Sequence, residues 1–175
     1  MRKWLAFLLA MVLFIAIHEG LHVLTATIFG EYEAFHVRPS RLEVTVRTPV
    51  DARSGIKWAV FSGTSNLATL MLGYLLLASG RRVARSNSLF LKASIYYLTL
   101  LGLLLDPTNL SVGALIYGGD VNGIAVGLGI SRYLIQTIFF LILLLNREFV
   151  AQKLLPMYEV KTEHPLLRPW VRLAS

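Results

Sequence analysis

One short segment of the sequence has the residue types and spacing that suit metal-assisted hydrolysis. His18 and His22 lie four residues apart, and Glu19 follows the first histidine directly. In an α-helix, residues i and i+4 share a face, so both imidazoles can bind one metal ion. Zinc takes neutral imidazoles as ligands, and an adjacent carboxylate can accept a proton from a water molecule on the metal. The spacing therefore predicts His18 and His22 as zinc ligands and Glu19 as a general base.

The surroundings of this segment strengthen that interpretation. The run from Trp4 to Phe29 is otherwise apolar, and Arg2 and Lys3 precede it. Ionisable side chains inside a membrane helix cost several kcal/mol on insertion scales, so they mark functional sites by default. The alternatives are a buried polar cluster that links helices, or a proton relay.

A third protein ligand is needed, because catalytic zinc sites typically have three protein ligands and a water molecule. The chain has no cysteine, and the acids close to its apolar segments are Asp106 and Asp120. Asp106 precedes Pro107, and such a pair commonly ends a helix. Asp120 follows Gly118 and Gly119, which allow a close approach of the backbone. We therefore expect Asp120 to be the third ligand, although an anionic turn at the interface would also explain it.

Composition indicates which elements hold these residues. Of the 175 residues, 55% are hydrophobic and 15% are charged, whereas soluble domains have about 25% charged residues. Several apolar runs reach the ~20 residues that cross a bilayer. The sequence therefore predicts one all-α integral membrane domain over residues 1–175, embedded as a multi-pass protein in the lipid bilayer of the cell membrane. The predicted membrane-spanning helices cover residues 4–29, 58–79, 89–105 and 131–155.

The segment between the first two predicted spans has a different periodicity. From Leu42 to Arg47, apolar and polar residues alternate, which is typical of a half-buried strand. With Arg38-Pro39-Ser40 as a turn, residues 32–48 are predicted to form a small β-hairpin at the membrane surface.

Charge excludes other classes of function. The net charge is +7, but the Lys and Arg residues flank apolar runs instead of forming one basic face with aromatic residues, so we expect no nucleic-acid partner. The absence of cysteine excludes a disulfide scaffold and a thiol nucleophile. Counting Lys and Arg on the two sides favours a cytoplasmic N-terminus.

Over roughly residues 10–130, the chain resembles the site-2 protease family of intramembrane zinc metalloproteases. The specific match is the membrane-embedded His-Glu-x-x-His motif at 18–22. The family's Gly-x-x-x-Asn element is matched by Ser62 to Asn66, with serine in place of the first glycine. The family's Leu-Asp-Gly motif is present in altered form at 118–123, where Asp120 follows two glycines. The family's usual orientation places the N-terminus of the first core helix outside, opposite to the charge count.

The resemblance implies hydrolysis of peptide bonds in membrane-spanning protein or peptide substrates. One zinc ion per chain would be bound by His18, His22 and Asp120, with Glu19 as the general base. A substrate helix must unwind locally, and the edge of the hairpin could pair with it. A surface hairpin without a substrate role is equally compatible with the sequence. Asn66 is a candidate for binding substrate backbone or stabilising an oxyanion, and interhelical packing is the alternative for it.

A different class of function also fits the ligands. The chain could be a non-proteolytic membrane carrier of metal ions or protons, or a catalytically silent protease relative that binds membrane partners. Metal transport needs ligands but no adjacent general base, whereas hydrolysis needs both. The presence of Glu19 beside the histidines therefore favours a protease.

Overall fold

A computed structural model describes residues 2–38, 41–49, 52–116 and 118–172. This part of the chain is mostly helical, with a two-stranded antiparallel hairpin between the first two helices. Its elements are α1 (Arg2–Ile28), β1 (Tyr32–Arg38), β2 (Arg41–Val46), α2 (Ile56–Ala84), α3 (Leu89–Leu110), α4 (Gly119–Leu128), α5 (Arg132–Phe149) and, after a π-helical turn at Val150–Leu154, α6 (Leu155–Met157).

The structure confirms the helical class, four helical segments that are long and apolar enough to cross a membrane, and the hairpin. These segments are α1, α2, the α3 region and the continuous helix from α5 to α6. In the hairpin, Phe35 lies opposite Val44 and His36 lies opposite Glu43. The predicted turn residues Pro39 and Ser40 lie outside the described residues. Insertion into a bilayer stays a prediction.

Two helices extend beyond their predicted ends. α2 was expected to end near residue 79, but it continues to Ala84. Arg81 and Arg82 lie in its last turn, where positive charges interact favourably with the helix dipole. Ser88 then caps α3, because its side chain accepts a hydrogen bond from the Leu91 backbone nitrogen at 3.2 Å.

The interpretation of Asp106-Pro107 as a helix end is wrong, because α3 continues through both residues to Leu110. A proline inside a helix leaves the carbonyl four residues earlier without its usual donor. Here that carbonyl belongs to Leu103, and the Asn146 side-chain nitrogen donates to it at 2.7 Å. A side chain of α5 thus supplies the hydrogen bond that Pro107 cannot make, which lets the helix continue.

The glycine-rich stretch 118–129, which lies outside the predicted spans, contains the helix α4 (Gly119–Leu128). Two of its glycines lie against α2. A Cβ atom at Gly127 would lie 2.1 Å from the backbone nitrogen of Ala59, and one at Gly123 would lie 1.9 Å from the Ser62 Oγ. These glycines therefore allow the two helices to approach closely, which fixes where the first turn of α4 lies.

We expect the substitution Gly127→Val to destabilise the fold by about 1–3 kcal/mol or more, because its side chain would overlap backbone atoms of α2. The matched control is Gly20→Ala, in α1, where a Cβ atom meets nothing within 4 Å. That change should be neutral or stabilise by about 0.5–1 kcal/mol. Thermal unfolding in detergent, followed by circular dichroism, measures both. Equal melting temperatures for the two variants would contradict the close α2–α4 contact.

Candidate metal centre

Three helices meet at the predicted site. The second half of α1 carries His18, Glu19 and His22, the first half of α2 carries Asn66, and the first turn of α4 carries Asp120. The structure therefore brings together residues that are separated by up to about one hundred positions in the sequence. The helical spacing of α1 directs both imidazoles toward the same neighbour, with their ring centroids 5.1 Å apart.

Three side chains could hold a metal ion. His18 Nε2 lies 3.7 Å from Asp120 Oδ2, and His22 Nε2 lies 3.4 Å from the same oxygen. One ligand atom from each residue lies within 4.8 Å of the others. Ligands bound tetrahedrally at 2.0–2.2 Å from zinc are about 3.3–3.6 Å apart. The imidazole and carboxylate donors thus fit a zinc ion in both chemistry and spacing.

Asp120 is held in place by α2. Asn66 is almost fully buried, and its side-chain nitrogen donates to Asp120 Oδ2 at 2.9 Å and to the backbone oxygen of Ser62 at 2.8 Å. Burial alone would raise the pKa of Asp120, but the contacts with His18, His22 and Asn66 lower it below its ordinary value. This shift favours the ionised carboxylate, which is the form that binds a metal.

His22 has a second partner on α2. Its Nε2 lies 2.9 Å from the hydroxyl oxygen of Ser65, which is completely buried. This nitrogen is the same atom that faces Asp120. Metal binding at His22 Nε2 would therefore release the Ser65 hydroxyl from this contact.

Asp106 takes a different position from Asp120. It is 1% exposed, and its Oδ1 lies 3.3 Å from His18 Nδ1, on the far side of the imidazole ring from Asp120. Its Oδ2 accepts a hydrogen bond from the Thr69 hydroxyl. Asp106 therefore contacts a predicted ligand without belonging to the group of three.

The group of three opens into a cavity of about 840 Å³. Glu19 lines this cavity together with His18, His22 and Asp120, and it is half-buried. The side of the cavity toward the hairpin is formed by β2, through residues 42–44. A carboxylate from the same helix as the two histidines and a half-buried strand thus share one space.

An ion pair connects the base of the hairpin to α2. Lys57 Nζ lies 2.6 Å from Glu31 Oε1, and the Thr48 hydroxyl and backbone nitrogen donate to Glu31 Oε2 at 2.8 and 3.1 Å. These hydrogen bonds from Lys57 and Thr48 lower the pKa of Glu31 below its ordinary value. The contact fixes the base of the hairpin to the start of α2.

Sequence reasoning missed two residues of this centre, Ser65 and Thr69. Both are fully buried in α2 and contact the site, Ser65 at His22 and Thr69 at Asp106. A signal was present, because Ser62, Ser65, Asn66 and Thr69 follow the spacing of one helix face within an apolar run.

Comparisons with protein-family models, with curated proteins and with solved structures gave no match.

Proposed function

We propose that the chain is an intramembrane zinc metalloprotease, similar to the site-2 protease family, that hydrolyses peptide bonds of membrane-spanning substrates. The observation that carries this proposal is the group His18, His22 and Asp120 beside Glu19 in one cavity. Three possible ligands, an adjacent carboxylate and space for a substrate are what metal-assisted hydrolysis needs. The apolar length of the surrounding helices supports a site at membrane depth.

Each residue has a definite part in this mechanism. His18, His22 and Asp120 would hold the zinc ion. When bound, zinc lowers the pKa of a water ligand to about 7 and polarises a carbonyl group. Glu19 takes the proton from the attacking water and later donates a proton to the leaving amine nitrogen. Its position in the wall of the cavity, outside the group of three, leaves its carboxylate available for this transfer.

Asn66 acts on the site through Asp120 in this proposal. Its side-chain nitrogen is engaged by Asp120 and by a backbone carbonyl of its own helix, and it is only 1% exposed. These contacts support a positioning role for Asn66, in preference to the predicted contact with substrate.

The hairpin offers a strand to which an unwound substrate could bind. A substrate helix must unwind to present one peptide bond, and its freed backbone groups need partners, because the hydrocarbon core supplies none. Residues 42–44 of β2 line the cavity that contains Glu19. An unwound substrate strand in that cavity can pair with the edge of the hairpin by β-augmentation.

The direct test uses the full chain purified in detergent. We expect about one zinc ion per chain by elemental analysis, and cleavage of a generic single-span substrate inside its apolar segment, located by mass spectrometry. Removal of zinc with a chelator should stop cleavage, and added zinc should restore it. Hydrolysis that persists after complete removal of metal would overturn the proposal. Stoichiometric zinc without cleavage of any of several spans would favour the carrier or the silent relative.

A further inference from the structure

We propose that Asp106 and Thr69 are positioning residues for the metal centre, which fix the ring of His18 so that its Nε2 faces the metal. This inference rests on the metal site of the proposed function and assigns two residues that do not themselves bind the metal. Two contacts of the Asp106 carboxylate support it, one with His18 and one with Thr69.

The first contact joins Asp106 to His18. Oδ1 of the buried Asp106 lies 3.3 Å from His18 Nδ1. A neutral imidazole carries one N–H group, and the partner of that group decides which nitrogen is free to bind a metal. With the proton on Nδ1 facing Asp106, the lone pair of His18 lies on Nε2, the atom that faces Asp120.

The second contact holds Asp106 itself. The Thr69 hydroxyl lies within hydrogen-bond distance of Asp106 Oδ2 and also of the Ser65 backbone oxygen, the latter at 2.8 Å, and Thr69 is 0% exposed. Thr69 belongs to α2, the helix that also holds Asp120 through Asn66. α2 thus contacts two carboxylates, that of the proposed ligand Asp120 and that of Asp106, which faces His18.

The two histidines differ in what faces their Nδ1 atoms. Both Nδ1 atoms are buried, and neither makes a hydrogen bond of ordinary geometry among the described residues. Of the two, only His18 has a carboxylate oxygen within 4 Å of its Nδ1 among the described residues, Asp106 Oδ1 at 3.3 Å. An outer carboxylate on a metal-binding histidine fixes its ring and raises its basicity, and removing such a partner typically weakens metal binding about 10–100-fold.

The test measures zinc affinity of the full chain in detergent, by competition with a chelating indicator. Asp106→Leu keeps the branched shape of the side chain but has no acceptor for the Nδ1–H group, so we expect affinity to fall about 10–100-fold. Asp106→Asn keeps an acceptor oxygen and should recover part of this loss. The visible absorption spectrum of the Co²⁺-loaded Leu variant should differ from that of the wild type, because the orientation of a ligand has changed.

Thr69→Val provides a second, milder variant, and Thr99→Val is its matched control. Thr99 is also fully buried, and its hydroxyl bonds the backbone oxygen of Ile95, four residues earlier, as the Thr69 hydroxyl bonds that of Ser65. The contact with the Asp106 carboxylate is what distinguishes Thr69 from this control. We expect Thr69→Val to weaken zinc binding several-fold and Thr99→Val to leave it unchanged.

A role in folding alone would change the melting temperature of the Leu variant and leave its zinc affinity and cobalt spectrum as in the wild type. That result overturns the proposal. If Asp106→Leu does not fold, the Thr69→Val variant decides, and equal zinc affinity in Thr69→Val and Thr99→Val overturns the proposal.

A wild-type chain that binds zinc but cleaves no substrate refutes the protease and leaves the positioning role of Asp106 and Thr69 intact. A wild-type chain that binds no zinc refutes both.

Discussion

Glu19→Gln is expected to retain zinc and to hydrolyse a membrane-spanning substrate about 10²–10⁴-fold more slowly than the wild type. The amide has nearly the same shape as the carboxylate but cannot accept the proton of the attacking water. Glu19 lines the cavity without belonging to the three possible ligands, so its loss should separate binding from chemistry. Elemental analysis and cleavage rates on the same preparation measure the two effects.

The control for this change is Glu33→Gln, an exposed glutamate on β1. It removes one negative charge from the same chain and should change neither zinc content nor rate. Cleavage by Glu19→Gln at the wild-type rate would require another general base. Loss of zinc from Glu19→Gln would instead make Glu19 a ligand.

Asp120→Ala should lose both zinc and hydrolysis. Structural zinc sites with four protein ligands contribute about 10–16 kcal/mol at neutral pH, so one ligand supplies about 2.5–4 kcal/mol. This corresponds to a decrease of about 10²–10³-fold in zinc affinity. Alanine is the informative substitution, because asparagine would keep an oxygen that can still bind a metal.

Asn122→Ala is the matched control for Asp120→Ala, because Asn122 lies near the start of the same helix and lines the same cavity. It should retain wild-type zinc affinity, as measured by chelator competition. Wild-type affinity in Asp120→Ala would remove Asp120 from the ligand set, whatever its effect on cleavage.

The sequence was informative wherever a local pattern determines a structure. Helical periodicity alone places His18 and His22 on one face, and alternation of polar and apolar residues predicted the strand β2. The fourth span was predicted to begin at residue 131, and the Ser131 side chain caps α5 there by accepting a hydrogen bond from the Tyr133 backbone nitrogen. These features depend on neighbours within a few residues, which a single sequence displays directly.

Features that depend on distant partners were not predictable in this way. Pro107 breaks the local rule for helices, and only Asn146, 39 positions further along the chain, explains why α3 continues. The glycines of α4 suggest flexibility until their contact with α2 is known. The contact between Asp106 and His18 likewise requires α1 and α3 to pack side by side, which no short pattern contains.

The depth of the site has a consequence for the products. His22 and His18 lie six and ten residues before Ile28, the end of α1 that leads into the hairpin, which corresponds to about 9–15 Å along the helix axis. A cut at that depth would leave the fragment on the hairpin side with about six to ten apolar residues, at most half of the ~20 that hold a helix in a bilayer. That fragment would leave the membrane without a second cleavage. The compartment that the hairpin faces would then be the one that receives the released product.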